Sequence, residues 1–245
     1  MSDAVCAVKD LSFYYTKKKL FSGNTERGKG IEAVSFSLKK GEILGIVGES
    51  GSGKSTLAKC IAGILQPDGG SVETQKVQMI FQDSYSALNP AKTVRWLLEE
   101  ALRLTGISSK EWEARIEAIL EETELEKELL NRLPKALSGG QRQRVMIAMA
   151  LLGEPKILIA DEPVSALDVT IQKQILGLMQ RLCKERELAM IFISHDLRTV
   201  YQICDYCMVL KDGKVVEAAA VEDLYANPQN DYTALLLKSA GMNWG

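Results

Sequence analysis

The sequence lacks several features that would assign it to particular classes. No run of about 18 consecutive apolar residues occurs, so no segment predicts a membrane-spanning helix. The start MSDAVCAVKD has no positively charged region followed by an apolar run, which argues against a secretory signal and predicts a chain that stays in the cytosol. A large excess of one charge is missing too. Thirty Lys+Arg against 32 Asp+Glu leave a formal net charge of −2, which argues against nucleic acid as a partner. The five cysteines (Cys6, Cys60, Cys183, Cys204, Cys207) are odd in number and scattered, which predicts reduced core thiols rather than a disulfide framework. Cys204 and Cys207 form a lone CxxC, and no second pair completes a zinc site. Internal repeats and low-complexity segments are also absent. What remains is ordinary for a globular protein: 245 residues, 46% hydrophobic and 25% charged, fitting one large α/β domain or a core with a lobe.

The segments AVCAVKDLSFYY and IEAVSFSL alternate apolar with polar residues, as half-buried antiparallel strands do. KKKLFSGNTERGKG between them reads as a loop. The runs Ile43 to Val47, Val77 to Phe81, Ile157 to Asp161 and Ala189 to Ser194 lack alternation and read as parallel strands buried on both faces of a doubly wound sheet. From about Asp83 to Leu151 the pattern becomes helical. Trp112, Ile116, Ile119, Leu120 and Thr123 share one face, and Ser108 with Glu111 is placed to form a capping box. The acidic run Glu121, Glu122, Glu124, Glu126 and Glu128 reads as a solvated helix face. Asp212-Gly213 between apolar runs predicts a two-residue hairpin, and the segment after it predicts a helix, a turn and a last helix.

Gly48, Glu49, Ser50, Gly51, Ser52, Gly53, Lys54 and Ser55 match GxxxxGK[ST], after a buried strand and before a helix. Glycines without Cβ let backbone N–H groups converge on phosphate oxygens, and the helix N-terminus adds about half a positive charge. Lys54 supplies a full charge to the β- and γ-phosphates, and Ser55 a hydroxyl to Mg²⁺. In ILIADEP, a strand ending in Asp161-Glu162 puts two carboxylates where parallel sheets bind ligands. Asp161 is expected in the Mg²⁺ shell. Glu162 is expected to act as general base on the water that attacks the γ-phosphate.

Leu137-Ser138-Gly139-Gly140-Gln141-Arg142-Gln143-Arg144, upstream of the acidic pair, resembles the signature of ATP-binding cassette (ABC) proteins. Gln82, Ser165-Ala166-Leu167-Asp168 and His195 follow in the family's order, and the resemblance runs from about Val5 to Ser239. It implies a P-loop NTPase cassette of the α/β class: a mainly parallel RecA-like sheet, an antiparallel β subdomain and an inserted helical subdomain. The corresponding boundaries are 1–82 with 152–224 for the nucleotide-binding core, 83–151 for the helical subdomain carrying the signature, and 225–245 for a short helical tail. By the same resemblance Gln82 touches Mg²⁺ and the attacking water, His195 meets the γ-phosphate, and Thr56 extends the phosphate-binding run. Tyr15 stacks on adenine, with Tyr14 the alternative. Ser138, Gly139, Gly140 and Gln141 form a second anion site that serves another cassette's nucleotide, and Asp168 acts at the seam between two cassettes.

FQDSYSALNP, the insertion KKKLFSGNTERGKGIEAVSF and NPQNDYT resemble the importers of dipeptides, oligopeptides and nickel, in particular the second of their two ATPase subunits. The resemblance implies an ATPase at the cytoplasmic face of the membrane. Its partners would be two transmembrane permeases, a second ABC ATPase and, indirectly, an extracytoplasmic solute-binding protein. The segment from Asp83 to Asn89 is the expected permease-facing surface. The chain departs from that branch at Asn230-Asp231, where His-Pro is usual. Exporter cassettes and soluble ABC ATPases share the nucleotide motifs. One phosphate loop, one signature and no sustained heptads argue against the soluble group, and the two importer-like segments against an exporter.

Overall fold

A computed structural model describes residues 4–18, 25–81 and 87–242. The strands are β1 (Ala4–Lys18), β2 (Thr25–Lys39), β3 (Ile43–Val47), β4 (Gly69–Thr74), β5 (Val77–Ile80), β6 (Ile157–Asp161), β7 (Ala189–Ile193), β8 (Tyr206–Lys211) and β9 (Lys214–Ala220). The α-helices are α1 (Lys54–Ile61), α2 (Val94–Arg103), α3 (Trp112–Glu122), α4 (Gly139–Leu152), α5 (Val169–Arg186), α6 (Leu197–Ile203), α7 (Val221–Ala226) and α8 (Asp231–Ser239). The chain divides into two compact units, residues 1–75 with 189–245, and residues 76–188.

In the first unit, β1 pairs antiparallel with β2 on one side and with β4 on the other. The pairing of β1 with β2 continues to Lys17↔Glu26 and Lys18↔Thr25, so much of the polar stretch expected as a loop is strand. An antiparallel ladder is held by backbone hydrogen bonds and can face water, so its Lys- and Gly-rich end gives no apolar signal. The second sheet of this unit centres on β3, whose five residues are all buried. Parallel pairing joins β3 to β7 (Ile46↔Ile193) and to β8 (Ile46↔Met208). β9 returns antiparallel to β8 through Asp212 (φ 48°) and Gly213 (φ 82°), the two left-handed residues that a tight hairpin turn requires. Each fully buried side chain such as Ile46, Phe192 or Leu210 contributes about 1.5–3 kcal/mol before ordering costs.

In the second unit, β5 and β6 pair in parallel from Val77↔Ile157 to Ile80↔Ala160. β6 is buried throughout, whereas Val77, Gln78 and Met79 of β5 are only half-buried, so β5 is not the fully enclosed strand its apolar run implies. Helix α3 buries Ile116, Ile119 and Leu120, as the 3.6-residue spacing predicts. Ser108 does not form the expected capping box with Glu111. It caps a single 3-10 turn, Ser109–Glu111, through the Lys110 N–H, and α3 begins only at Trp112. The acidic run is also more than a solvated face. Both Glu122 carboxylate oxygens accept from Arg186, and Glu124 accepts from Arg144 and Arg181, which hold its carboxyl below the usual range. All five cysteines lie among the described residues, buried and without a disulfide. Burial pushes Cys207 up to about 12, which suits an inert core thiol.

Candidate functional site

The glycine-rich turn links the end of β3 to the start of α1, and its backbone has the shape that motif requires. Gly48, Gly51 and Gly53 have φ of 147°, 82° and 107°. At Gly48 a Cβ would also sit 2.2 Å from the Leu210 carbonyl oxygen and 2.8 Å from Ser52 Oγ, so any side chain would push the loop off β8. Lys54 opens α1 and folds back over the turn. Its Nζ donates to the carbonyls of Gly48 (2.7 Å) and Glu49 (2.9 Å), and the residue is 7% exposed. Ser50, Gly51 and Ser55 face solvent, while Thr56 is buried. The Ser52 hydroxyl is buried with no hydrogen-bond partner among the described residues, a polar group turned into the loop. A helix N-terminus, an ammonium and small hydroxyls are a donor set for a polyphosphate, and the Ser55 hydroxyl is a hard oxygen ligand suited to Mg²⁺.

Other residues of this unit bear on the turn. Tyr15 on β1 is 45% exposed, packs edge-on against Phe13 at 5.0 Å and lies 3.4 Å from Thr56 Oγ1 on α1. Of the two tyrosines considered for adenine, it is Tyr15 whose hydroxyl meets the phosphate-loop helix, while the Tyr14 N–H is bound by Asp68. His195 is exposed just after β7, whose neighbour β3 leads into Gly48; the Ser194 N–H donates to Ile46 O at 3.3 Å. The adjoining Asp196 caps α6 and is braced by Thr199 and Ser194, which fixes the backbone around His195.

In the second unit, Asp161 ends β6 and is buried, and Glu162 follows with φ 48°. A left-handed glutamate costs about 1 kcal/mol or more, the kind of strain that clusters at functional sites. The Glu162 carbonyl accepts from Ser165 N and Oγ. Asp168 Oδ1 accepts from the N–H groups of Thr170 and Ile171, capping α5. Ser138 and Gln141 form a reciprocal capping box at the start of α4: Ser138 Oγ accepts from Gln141 N at 3.2 Å and Gln141 Oε1 from Ser138 N at 2.9 Å. The S-x-x-Q spacing of Ser138 and Gln141 is the sequence signal for this box. Gly140 does more than expose an amide. A Cβ there would meet Ile171 Cγ2 at 2.6 Å, so the glycine is required where α4 crosses α5, and Asp168 caps the helix it crosses. Gln82 lies outside the described residues.

The second unit also contains an apolar groove of about 340 Å³. Its walls include Met79 and Ile80 of β5, Leu88, Leu104 after α2, and Met146 and Met149 of α4. Leu104 is 87% exposed and Phe81, at the edge of the same groove, 43%. Among the described residues no helix is long and apolar enough to cross a membrane, and no cluster of His, Cys, Asp and Glu could hold a metal by itself.

A family model described as "ABC transporter" matches residues 31–165. A putative peptide import ATP-binding protein of Brucella ovis is 43% identical over 229 residues, covering 86% of this chain and 72% of that protein. The dipeptide transport ATP-binding protein DppF of Haemophilus influenzae is 39% identical, covering 94% of this chain and 76% of that protein. The oligopeptide transport ATP-binding protein OppF of Bacillus subtilis is 43% identical, with 88% and 78% covered. Among solved structures, cbiO1 from Clostridium perfringens, part of an ABC transporter complex, superposes with a TM-score of 0.78 at 27% identity and covers 92% of both chains. An ATP-binding cassette solved as a dimer with ADP and Pi superposes with a TM-score of 0.74 at 28% identity, covering 88% of this chain and 98% of that one.

Proposed function

Because the chain belongs to the ABC transporter family, we propose that its ATP hydrolysis drives uptake of peptides, with nickel or a metal chelate as the alternative cargo. The chain is an ATPase, and it is the ATP-binding subunit of an importer. The observation that carries this reading is the turn from Gly48 to Thr56, shaped for phosphates and holding a buried lysine. Peptides are favoured because the relatives of 39–43% identity named above are peptide, dipeptide and oligopeptide import proteins.

In this reading Tyr15 stacks on adenine, and the turn from Gly48 to Thr56 receives the phosphates, with the Glu49 N–H kept by the Tyr232 hydroxyl. Lys54 exchanges its two carbonyl partners for phosphate oxygens. Ser55, Asp161 and Gln82 would hold Mg²⁺, which would supply charge neutralisation at the phosphates. Glu162 takes the proton of the attacking water, and His195 holds the γ-phosphate side of the site. Ser138 to Gln141 of a second cassette present the start of α4 to the nucleotide, with Asp168 at the seam. The solved dimer with 28% identity supports this pairing. The second cassette is a similar subunit or another copy of this chain.

Two permeases complete the assembly at the cytoplasmic membrane face, with a solute-binding protein acting through them. The apolar groove beside β5 supports a docking site for a permease segment. Of the stretch expected to face the permease, Ala87 and Leu88 line this groove, and residues 83–86 lie outside the described residues.

The pairing is tested with Ser138→Arg. The loss of the cap costs about 1 kcal/mol of stability, and ATP binding to the single chain stays unchanged. ATP-dependent dimerisation, followed by sedimentation in a Glu162→Gln background, is lost. Dimers that persist in the Ser138→Arg chain would contradict the trans site.

A further inference from the structure

The phosphate loop is held from behind by a residue far away in sequence. The Glu49 N–H donates to the Tyr232 hydroxyl at 3.2 Å, across 183 positions of the chain. Tyr232 is 8% exposed, and the Lys211 ammonium lies 4.6 Å from its ring centroid. Its helix, α8, is itself anchored. Asn230 Oδ1 accepts from Tyr232 N at 2.9 Å, and the N–H groups of Gln229 and Asn230 donate to the Glu217 carboxylate on β9 at 2.8 and 3.1 Å. Asn230-Asp231, the departure from the usual His-Pro, supplies a side-chain cap and an acidic first turn at the start of the helix. The hairpin that joins Lys211 to β9 adds a second hold, because the Gly213 N–H donates to Ser52 O at 2.9 Å.

We propose that Tyr232 is a positioning residue for ATP binding, fixing the first half of the phosphate loop through the Glu49 N–H. This rests on the reading of the Gly48–Thr56 turn as the phosphate site. The physical case is one of preorganisation. Glu49 stands between Gly48 and Gly51, whose left-handed backbones tolerate other conformations, and its carbonyl is one of two that Lys54 grips. Without a partner on the Glu49 N–H, this half of the loop is tied through its carbonyls alone. ATP then has to order the loop as it binds, and affinity falls while the chemistry of the bound complex is unaffected. Burial raises the Tyr232 pKa, so the hydroxyl that accepts from Glu49 is neutral at neutral pH.

The test compares full-length chains carrying Tyr232→Phe and Thr233→Val. Thr233 is the next residue on α8, buried, and its hydroxyl has no hydrogen-bond partner among the described residues, so its loss reports any general effect of altering the helix. Steady-state hydrolysis of MgATP by Tyr232→Phe is expected to show KM raised about two- to ten-fold, the effect of one lost neutral hydrogen bond, with kcat within about two-fold. A titration with ATP should show the same weakening, and Thr233→Val should match the unmodified chain in both measurements. An unchanged KM in Tyr232→Phe, or an equal rise in Thr233→Val, would overturn the positioning role while leaving the phosphate site intact. Failure of the unmodified chain to bind ATP would overturn the phosphate site and this role with it.

Discussion

Replacing Glu162 by glutamine is expected to lower ATP turnover by about 10²–10⁴-fold while leaving ATP affinity within about two-fold. The substitution keeps the size and hydrogen-bonding shape of the side chain and removes its basicity. It should not relax the backbone either: φ at this residue is 48°, and glutamine bears the same strain as glutamate. The proposed base is thus lost without disturbing β6, whose last residue, Asp161, remains buried. Single-turnover hydrolysis with labelled ATP, alongside an equilibrium titration, separates the chemical step from binding. Hydrolysis at the unmodified rate would remove Glu162 from the role of base.

The second large effect is expected at Lys54, and it falls on binding rather than turnover. Its Nζ donates to two carbonyls at 2.7 and 2.9 Å, so the ammonium is held over the turn before nucleotide arrives and exchanges hydrogen bonds instead of leaving bulk water. Charge-assisted hydrogen bonds contribute about 1.5–3 kcal/mol. Lys54→Ala should accordingly weaken ATP by about 10- to 150-fold in a calorimetric titration. The Gly48 carbonyl would lose the Lys54 donor, but the Glu49 carbonyl still accepts from the Ser52 N–H at 3.1 Å and the loop retains the Gly213 and Tyr232 contacts, so the fold persists. Unchanged affinity would contradict the assignment of this turn to phosphate.

Local patterns made the phosphate turn legible. A buried five-residue strand, glycines at fixed offsets and a helix start all lie within one stretch of chain, and each has a short-range cause. The Asp212-Gly213 hairpin was legible for the same reason, since two left-handed residues are needed in adjacent positions. Harder to read were features in which sequence-distant groups meet. The long ladder of β1 and β2 carries polar residues that give no alternation. Gly140 has two roles, one visible in its motif and the other visible only once Ile171 lies against it. Ser108 has the right partner three residues on, yet Glu111 is taken into a 3-10 turn and the cap serves that turn instead. Glu122 and Glu124 look like surface charge until Arg144, Arg181 and Arg186 arrive from other helices. Tyr232 is the extreme case: nothing near it in sequence announces that its hydroxyl meets the loop at Glu49.

The proposed role of this ATPase is as part of a membrane importer for peptides. The most direct measurement is affinity capture of the full-length Glu162→Gln chain from native membranes in ATP and Mg²⁺, with mass spectrometry of the captured proteins and of the solute the assembly takes up into vesicles. The expected result is two multispanning permeases, a cassette partner and uptake of short peptides by the assembly with the unmodified chain. Capture of ribosomal or DNA-associated proteins without permeases, or an assembly that exports its solute, would contradict it.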